Sequence, residues 1–327
     1  MAKLKQKADQ WFRVSWSRIK SWKRCRKQHH YKYVERLEAK RKPPALLRGK
    51  LLGQLIEAHC SGQNWKTLWA KLSKEHRTLF SAEVEMYGDF KVEIPRIMEG
   101  YVKRYGKEKT IALEHEEFLE LAPGILLSTR NDGILIEDGK KWLKETKTHR
   151  NIPDEETRFS DLQTVIYYAL LKAKYKLSGV IWDYVRTKPP TVPQQLKDGG
   201  LSKRNIESTP EVYLSEIKRL KLNPADYEDI LSELKEKEDN FYLRVKLPEP
   251  SQHLIDATIS DFTQTAQFMR DHPDLQDRNM GRDCPRCEFY ALCQAELRGL
   301  DSHFIRKSEF KIQPEGHYDG QESSHKE

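Results

Sequence analysis

The stretch Asn131 to Lys147, NDGILIEDGKKWLKETK, limits what this chain can fold into more than any other. Ile134, Leu135 and Ile136 lie in one apolar-rich run, Glu137-Asp138-Gly139-Lys140 makes a turn, and Lys141 to Lys147 forms a second run. Asp-Gly between two such runs is a strong short-range hairpin signal. Side chains alternate faces along a strand, so Glu145 and Lys147 point one way while Trp142 and Thr146 point the other. Asp132 stands at the start of the first strand. The hairpin therefore predicts two carboxylates and a lysine on one patch of sheet. Hard divalent cations take oxygen ligands, and a lysine beside them can hold a water or a phosphate. An ordinary solvated hairpin carries the same residue types, and this stretch alone does not separate the two readings.

The rest of the chain supplies context. Apolar residues make up 37% and charged residues 33% of 327 positions, enough for a real core in one large or two modest domains. No run approaches the roughly 18 apolar residues of a membrane span. The lysines near the N-terminus are not followed by the apolar segment of a secretory signal. We therefore expect no membrane partner and a cytoplasmic location. The net charge is +8, from 58 basic and 50 acidic residues. That excess permits nucleic-acid binding and is equally explained by lysine-rich solubility.

Residues 1 to 10 are polar and expected to be frayed. Ser15 or Ser17 suits the cap of a helix carrying Ile19 and Trp22 and ending near Cys25. Arg13, Arg18, Lys20, Lys23, Arg24, Arg26 and Lys27 interleave with Trp16, Trp22, Tyr31 and Tyr33. Such a mixture suits a single-stranded nucleic-acid surface, and it equally suits a buried aromatic stripe with a basic outer face. Helical spacing continues through Leu51, Leu52, Leu55 and Ile56 and across 65 to 105. Strands are expected over 114–120, 124–130 and 179–186, with an amphipathic helix over 161–175 after a polar link at 151–159. That order predicts an α/β crossover on a mixed sheet. The Pro- and Gly-rich segment 187–208 reads as a long loop, disordered or ordered by substrate. Helices follow over 211–220, 224–237 and 251–270, with a strand-like piece at 242–245. The organisation expected is an N-terminal helical region (1–110), a core (111–190), a C-terminal helical region (191–309) and a disordered tail (310–327).

Five cysteines are present, Cys25, Cys60, Cys284, Cys287 and Cys293. An odd count in a chain without a signal argues against a disulfide framework. Cys284, Cys287 and Cys293 follow a C-x2-C-x5-C pattern that points to metal. A tetrahedral site needs a fourth thiolate, for which Cys25 and Cys60 compete. Cys60 sits in an apolar helix and reads as a small buried hydrophobe. Zinc and an iron–sulfur cluster both accept four cysteines, but one close pair with two outlying thiols suits a cubane better than a zinc ribbon.

Taken together and in order, these features resemble the RecB-like branch of the PD-(D/E)XK nucleases. The likeness is to the iron–sulfur exonucleases similar to CRISPR-associated and AddB-type enzymes, of which bacteriophages carry versions. Ser15 through Cys25 to Tyr33 resembles the family's opening helix and first cluster cysteine. Arg48-Gly49-Lys50-Leu51-Leu52 resembles the helix bearing its G-x-x-x-H motif. Asp132 matches the motif aspartate, Glu145-Thr146-Lys147 the E-x-K, Gln163 to Tyr167 the Q-x-x-x-Y helix, and Cys284, Cys287 and Cys293 the terminal cluster ligands. The resemblance implies a restriction-endonuclease-like mixed sheet flanked by helices, its two ends stapled by a [4Fe-4S] cluster on Cys25, Cys284, Cys287 and Cys293.

It also implies a metal-dependent DNA exonuclease acting on ends or single strands. Mg2+ or Mn2+ would sit on Asp132, Glu145 and the Thr146 carbonyl, with Lys147, Gln163 and Tyr167 completing the catalytic set. Arg18, Lys23, Arg24 and Tyr167 are the DNA-contact candidates, and recombination or replication proteins are candidate partners. One position departs from the pattern. Four residues after Gly49 the family places a histidine ligand, and this chain has Gly53. Glu57, one helical turn on, is the candidate substitute. His59 lies about 120° round the helix and is expected to face elsewhere. The alternative is therefore a nuclease fold with impaired or lost catalysis that binds DNA or a partner.

Overall fold

The computed structural model describes residues 11–75, 80–111, 116–130, 132–159, 161–204 and 206–314. In it β1 (Phe12–Val14) leads into α1 (Trp16–Arg24) and α2 (Arg26–His29), which continues as a π-helical turn over His30–Val34. The Ser15 hydroxyl caps α1 by accepting the Arg18 backbone N–H. Next come β2 (Leu37–Ala39), α3 (Pro44–Cys60), α4 (Trp65–Glu75), α5 (Ser81–Tyr87) and α6 (Phe90–Tyr105). Five strands follow, β3 (Lys109–Ile111), β4 (Glu116–Ala122), β5 (Ile125–Arg130), β6 (Gly133–Glu137) and β7 (Lys140–His149). The chain then passes through α7 (Glu155–Phe159), α8 (Leu162–Tyr175), β8 (Gly179–Arg186), α9 (Pro210–Arg219), α10 (Glu228–Glu236) and β9 (Tyr242–Pro248). It closes with α11 (Gln252–Asp271), α12 (Tyr290–Leu297), α13 (Ser302–Glu309) and β10 (Phe310–Ile312).

The central sheet runs β3-β6-β7-β8-β9. β6 and β7 pair antiparallel, and their turn puts Asp138 and Gly139 at φ 51° and 73°. Two central residues with positive φ make the turn type whose twist matches a hairpin, and Asp-Gly tolerates it. β7 and β8 pair parallel, so the chain must cross over between them, and α7 and α8 lie on that crossover. A second sheet, β1-β5-β4, carries the strands that precede the hairpin.

Alternation assigns the two faces of β7 and β8. Leu143, Val180, Trp182 and Tyr184 pack with Val165, Ile166 and Leu171 of α8, Phe262 and Met269 of α11, and Ile19 and Trp22 of α1. Val185 faces the opposite layer, where Leu51, Leu52 and Leu55 of α3 meet Ile94, Ile97 and Tyr101 of α6. The sheet is thus covered on both sides, a mixed α/β arrangement. Two smaller cores lie apart. One joins Leu201 to Tyr213, Ile217, Tyr227 and Leu234 around α9 and α10. The other packs Tyr31, Leu37, Phe289, Leu292 and Phe310 beside the C-terminal cysteines.

Three expectations need correction. The 310–327 segment begins with a strand, because Phe310 is buried and β10 pairs antiparallel with β2; residues 315–327 lie outside the described ones. The 151–159 link contains α7, whose first turn carries Glu155 and Glu156 as the helix dipole favours. The 187–208 segment is held by its own contacts, Thr191 N to Glu207 O at 2.7 Å and Ser202 N to Gln194 O at 2.9 Å. The expected 1–10 segment and the 114–115 start of the first expected strand fall outside the described residues, as does Asn131. Among the described residues no helix is long and apolar enough to cross a membrane.

Candidate active site

Asp132 sits just before β6 begins, and its Oδ2 accepts the Thr146 backbone N–H at 2.7 Å. Glu145 is buried on the α8 face of β7. Burial, then the nearby Asp132 charge, pushes its carboxyl up to about 8, with Lys147 pulling the other way. Its Oε1 accepts from Lys147 Nζ at 2.9 Å, while Oε2 is buried with no hydrogen-bond partner among the described residues. A buried carboxylate oxygen left open beside a second carboxylate is a donor set that suits a hard divalent cation.

Lys147 Nζ also donates to Gln163 Oε1 at 3.0 Å and pairs with Asp161 Oδ2 at 3.0 Å. Burial disfavours its charge, but Glu145 and Asp161 outweigh that and hold it protonated above the ordinary lysine range. Gln163 Nε2 in turn donates to the Tyr167 hydroxyl at 3.2 Å. The i, i+4 spacing on α8 places this pair one above the other, and a continuous polar chain runs Glu145–Lys147–Gln163–Tyr167. Burial raises the Tyr167 hydroxyl well above the ordinary tyrosine range, so it stays a neutral donor.

The α3 residues approach from the other side. Gly53, Gln54, Glu57, Asp132 and Thr146 border one cavity of about 400 Å³ between α3 and β7. Gly49 lets the helix come close, because a Cβ there would stand 2.9 Å from Thr148 Oγ1. A Cβ on Gly53 would meet nothing within 4 Å. Gln54 Oε1 is buried without a hydrogen-bond partner among the described residues, an oxygen on this wall that the motif pattern did not single out. His59 faces elsewhere, its Nε2 2.7 Å from Gly106 O.

Cys25, Cys284, Cys287 and Cys293 border a separate cavity of about 460 Å³. The Cys293 sulfur accepts from Arg278 Nε at 3.3 Å and the Cys284 sulfur from the Gly281 backbone N–H at 3.3 Å. Among the described residues no three His, Cys, Asp or Glu side chains converge tightly enough to grip one metal ion. The four thiols thus border one cavity, and two of them accept N–H bonds. Cys60 is not among them. It is buried, but more than a hydrophobe: its thiol donates to Glu108 Oε2 at 3.1 Å and its sulfur accepts from Lys144 Nζ at 3.2 Å. Burial raises its thiol to about 12.

The basic N-terminal residues are engaged within the protein. Lys23 pairs with Asp261 at 2.5 Å, Arg24 donates to Asp283 O at 3.1 Å, and Arg18 donates to Arg13 O at 2.7 Å. The aromatics between them mostly serve packing, with Trp16 stacked on Phe262 and Trp22 and Tyr31 buried. Two features were missed. Asp161 reads in sequence only as the first residue of the 161–175 helix, whereas it caps α8 and is also a Lys147 partner. Behind the α3 cavity, buried Lys144 pairs with Asp183 at 3.2 Å and with Glu108, Asp183 pairs with Arg244 at 2.7 Å, and Tyr101 donates to Asp183 at 2.6 Å.

A family model described as the PD-(D/E)XK nuclease superfamily matches residues 13–294. No curated protein matches the chain. Among solved structures, one titled "Crystal structure of SSO0001" is similar at 14% identity over 87% of each chain, with a TM-score of 0.33, too loose to carry an argument.

Proposed function

This chain belongs to the PD-(D/E)XK nuclease superfamily, whose members are typically nucleases, and we propose that it hydrolyses DNA phosphodiesters as a metal-dependent exonuclease on ends or single strands. The observation that carries this reading is the buried Glu145, open at Oε2, beside Asp132 and Lys147. Asp132, Glu145 and the Thr146 carbonyl would hold Mg2+ or Mn2+, with Glu57 bordering the same region. When bound, the cation supplies Lewis-acid activation of the phosphate and of a water. The residues do the rest. Lys147 carries a fixed positive charge toward the charge that develops on the phosphate. Gln163 orients that ammonium, and Tyr167, expected to meet the DNA backbone, is instead buried in the core and braces Gln163. Arg18, Lys23 and Arg24 would meet DNA only by exchanging the intramolecular partners they now hold.

A [4Fe-4S] cluster on Cys25, Cys284, Cys287 and Cys293 would staple the segment after α1 to the C-terminal helices. Its role in this reading is structural.

The decisive experiment incubates the purified chain with end-labelled single- and double-stranded DNA and Mn2+, beside Lys147→Ala. Shortening of the DNA by the wild type but not the variant is expected. DNA that stays intact with both, while gel shifts persist, would favour the second reading, a binding protein without catalysis. The observation behind that alternative is the bare helix wall at Gly53. Iron content and a broad visible absorbance lost on oxidation would separate the cluster from zinc.

A further inference from the structure

An ammonium has three protons to donate, and around Lys147 there are three acceptors. Glu145 Oε1, Asp161 Oδ2 and Gln163 Oε1 stand 2.9, 3.0 and 3.0 Å from Nζ. The first of these oxygens belongs to the carboxylate that the nuclease reading assigns to the cation. A lysine leaning on that carboxylate alone would compete with the cation for it. Asp161 supplies a second negative charge that the cation does not need.

Asp161 is itself fixed. Its Oδ1 accepts the Gln163 backbone N–H at 3.2 Å, capping α8, which leaves Oδ2 for the lysine. Its carbonyl accepts from Thr164 Oγ1 at 3.0 Å, and that hydroxyl accepts from Trp182 Nε1 at 3.1 Å in the core. The start of α8 therefore delivers Asp161 and Gln163 to the same ammonium as one rigid unit.

We propose that Asp161 is a positioning residue of the active site: it holds the Lys147 ammonium beside Glu145 while leaving the Glu145 carboxylate available to a divalent cation. The proposal rests on the nuclease reading and adds to it a carboxylate outside the D…E-x-K pattern.

Asp161→Asn separates this role from capping, because asparagine caps a helix as well as aspartate but carries no charge. The expected result is a melting temperature lowered by only a few degrees, since the cap stays and one counter-charge of Lys147 goes, a Mn2+ affinity without DNA weakened on the order of tenfold, and a kcat lower by on the order of ten- to a hundredfold. KM for DNA should stay within about twofold, since Asp161 acts through Lys147 and not on DNA. Mn2+ binding is read by the loss of the free-ion electron paramagnetic resonance signal. Asp161→Ser, which also caps, should behave like Asp161→Asn. A wild type that cuts DNA, beside an Asp161→Asn variant of equal kcat and equal Mn2+ affinity, overturns this proposal and leaves the nuclease reading intact. A wild type that neither binds Mn2+ nor cuts overturns the nuclease reading and this proposal with it.

Discussion

Asp132 Oδ2 and the Thr146 backbone N–H are 2.7 Å apart. The β6–β7 ladder has its last pair at Gly133 and Lys144, and beyond it this side chain takes a backbone donor of β7. One carboxylate thereby both anchors the strand that carries Glu145 and Lys147 and brings its charge beside Glu145. Asp132→Asn keeps an acceptor for Thr146 and loses the charge. Because the site is exposed, stability should change by no more than about 0.5 kcal/mol. Cutting should fall by about a hundredfold or more, the rate equivalent of the several kcal/mol a metal ligand contributes. Thermal melting and a Mn2+-dependent cleavage assay on the same preparations check both halves.

Glu145 makes stability depend on pH. Its carboxyl is raised to about 8 in the fold, from an ordinary 4.5, chiefly by burial. The unfolded chain therefore loses this proton first as pH rises. The stability Glu145 contributes is fully present below about 4.5 and is lost as pH rises through about 8. Glu145→Gln, which stays neutral, should flatten the melting-temperature profile of the metal-free protein across that window. Mn2+ affinity should move oppositely, rising with pH because the cation needs the ionised carboxylate and displaces its proton. An equal pH slope in wild type and variant would mean that Glu145 is ionised throughout.

Much of this site was readable from the chain because alternation and Asp-Gly chemistry are local. The turn at Asp138-Gly139, the shared face of Glu145 and Lys147, and the α8 stripe with Gln163 four residues before Tyr167 all follow from spacing. Local rules fail where partners are distant. β1, β2, β3 and β10 have three residues each, too few for a period, and they exist because Ile125, Phe310 and Ile136 are there to pair with. Asp161 stood out only as the first residue of an expected helix, because its ion pair with Lys147 needs the crossover to close. Lys144 and Asp183 drew no role from the sequence, and only the α6 layer and β9 show that they are buried together.

Gly53 borders the α3 cavity, and a Cβ there meets nothing within 4 Å. Gly53→His should therefore be accommodated, and replacing a mid-helix glycine should raise stability by about 0.5 kcal/mol. The added imidazole would enter the cavity wall shared with Asp132 and Thr146. If the cation lies within its reach, Mn2+ should bind tighter by on the order of tenfold. A Mn2+ titration of both proteins decides this. Unchanged affinity with the expected stabilisation would place the cation on the Glu145 side of β7, out of reach of α3.

Gly49 is glycine for a different reason. Its missing Cβ would stand 2.9 Å from Thr148 Oγ1, on a strand held between β8 and α3. Gly49→Ala should gain helix propensity and still lose stability, by about 1–2 kcal/mol, because the helix must move off the sheet. Thr148→Ala removes the obstructing atom. The double variant should recover most of the loss, and a double-mutant cycle read by urea unfolding should give a coupling of about 1 kcal/mol. Additive effects would show that the helix yields elsewhere.

Lys144 faces away from Glu145 into the buried cluster with Asp183, Glu108, Tyr101 and Arg244. Burial alone would lower its affinity for a proton, but Asp183, Cys60 and Glu108 raise it above the ordinary lysine range. Burial works against the Asp183 charge, but Lys144, Arg244 and the Tyr101 hydroxyl hold it ionised, below the usual carboxylate range. Lys144→Met should cost about 3–5 kcal/mol, since it leaves carboxylates buried with one counter-charge fewer. Lys144→Met combined with Asp183→Asn should recover part of that, because the orphaned charge goes too. This cluster joins β7 to β8, β9 and α6, so its loss should loosen the strand that carries Glu145 and Lys147. Hydrogen exchange on metal-free Lys144→Met should accordingly rise first along β7. Exchange that rises evenly over the whole protein would instead mark a global loss of stability with no local control of the active strand.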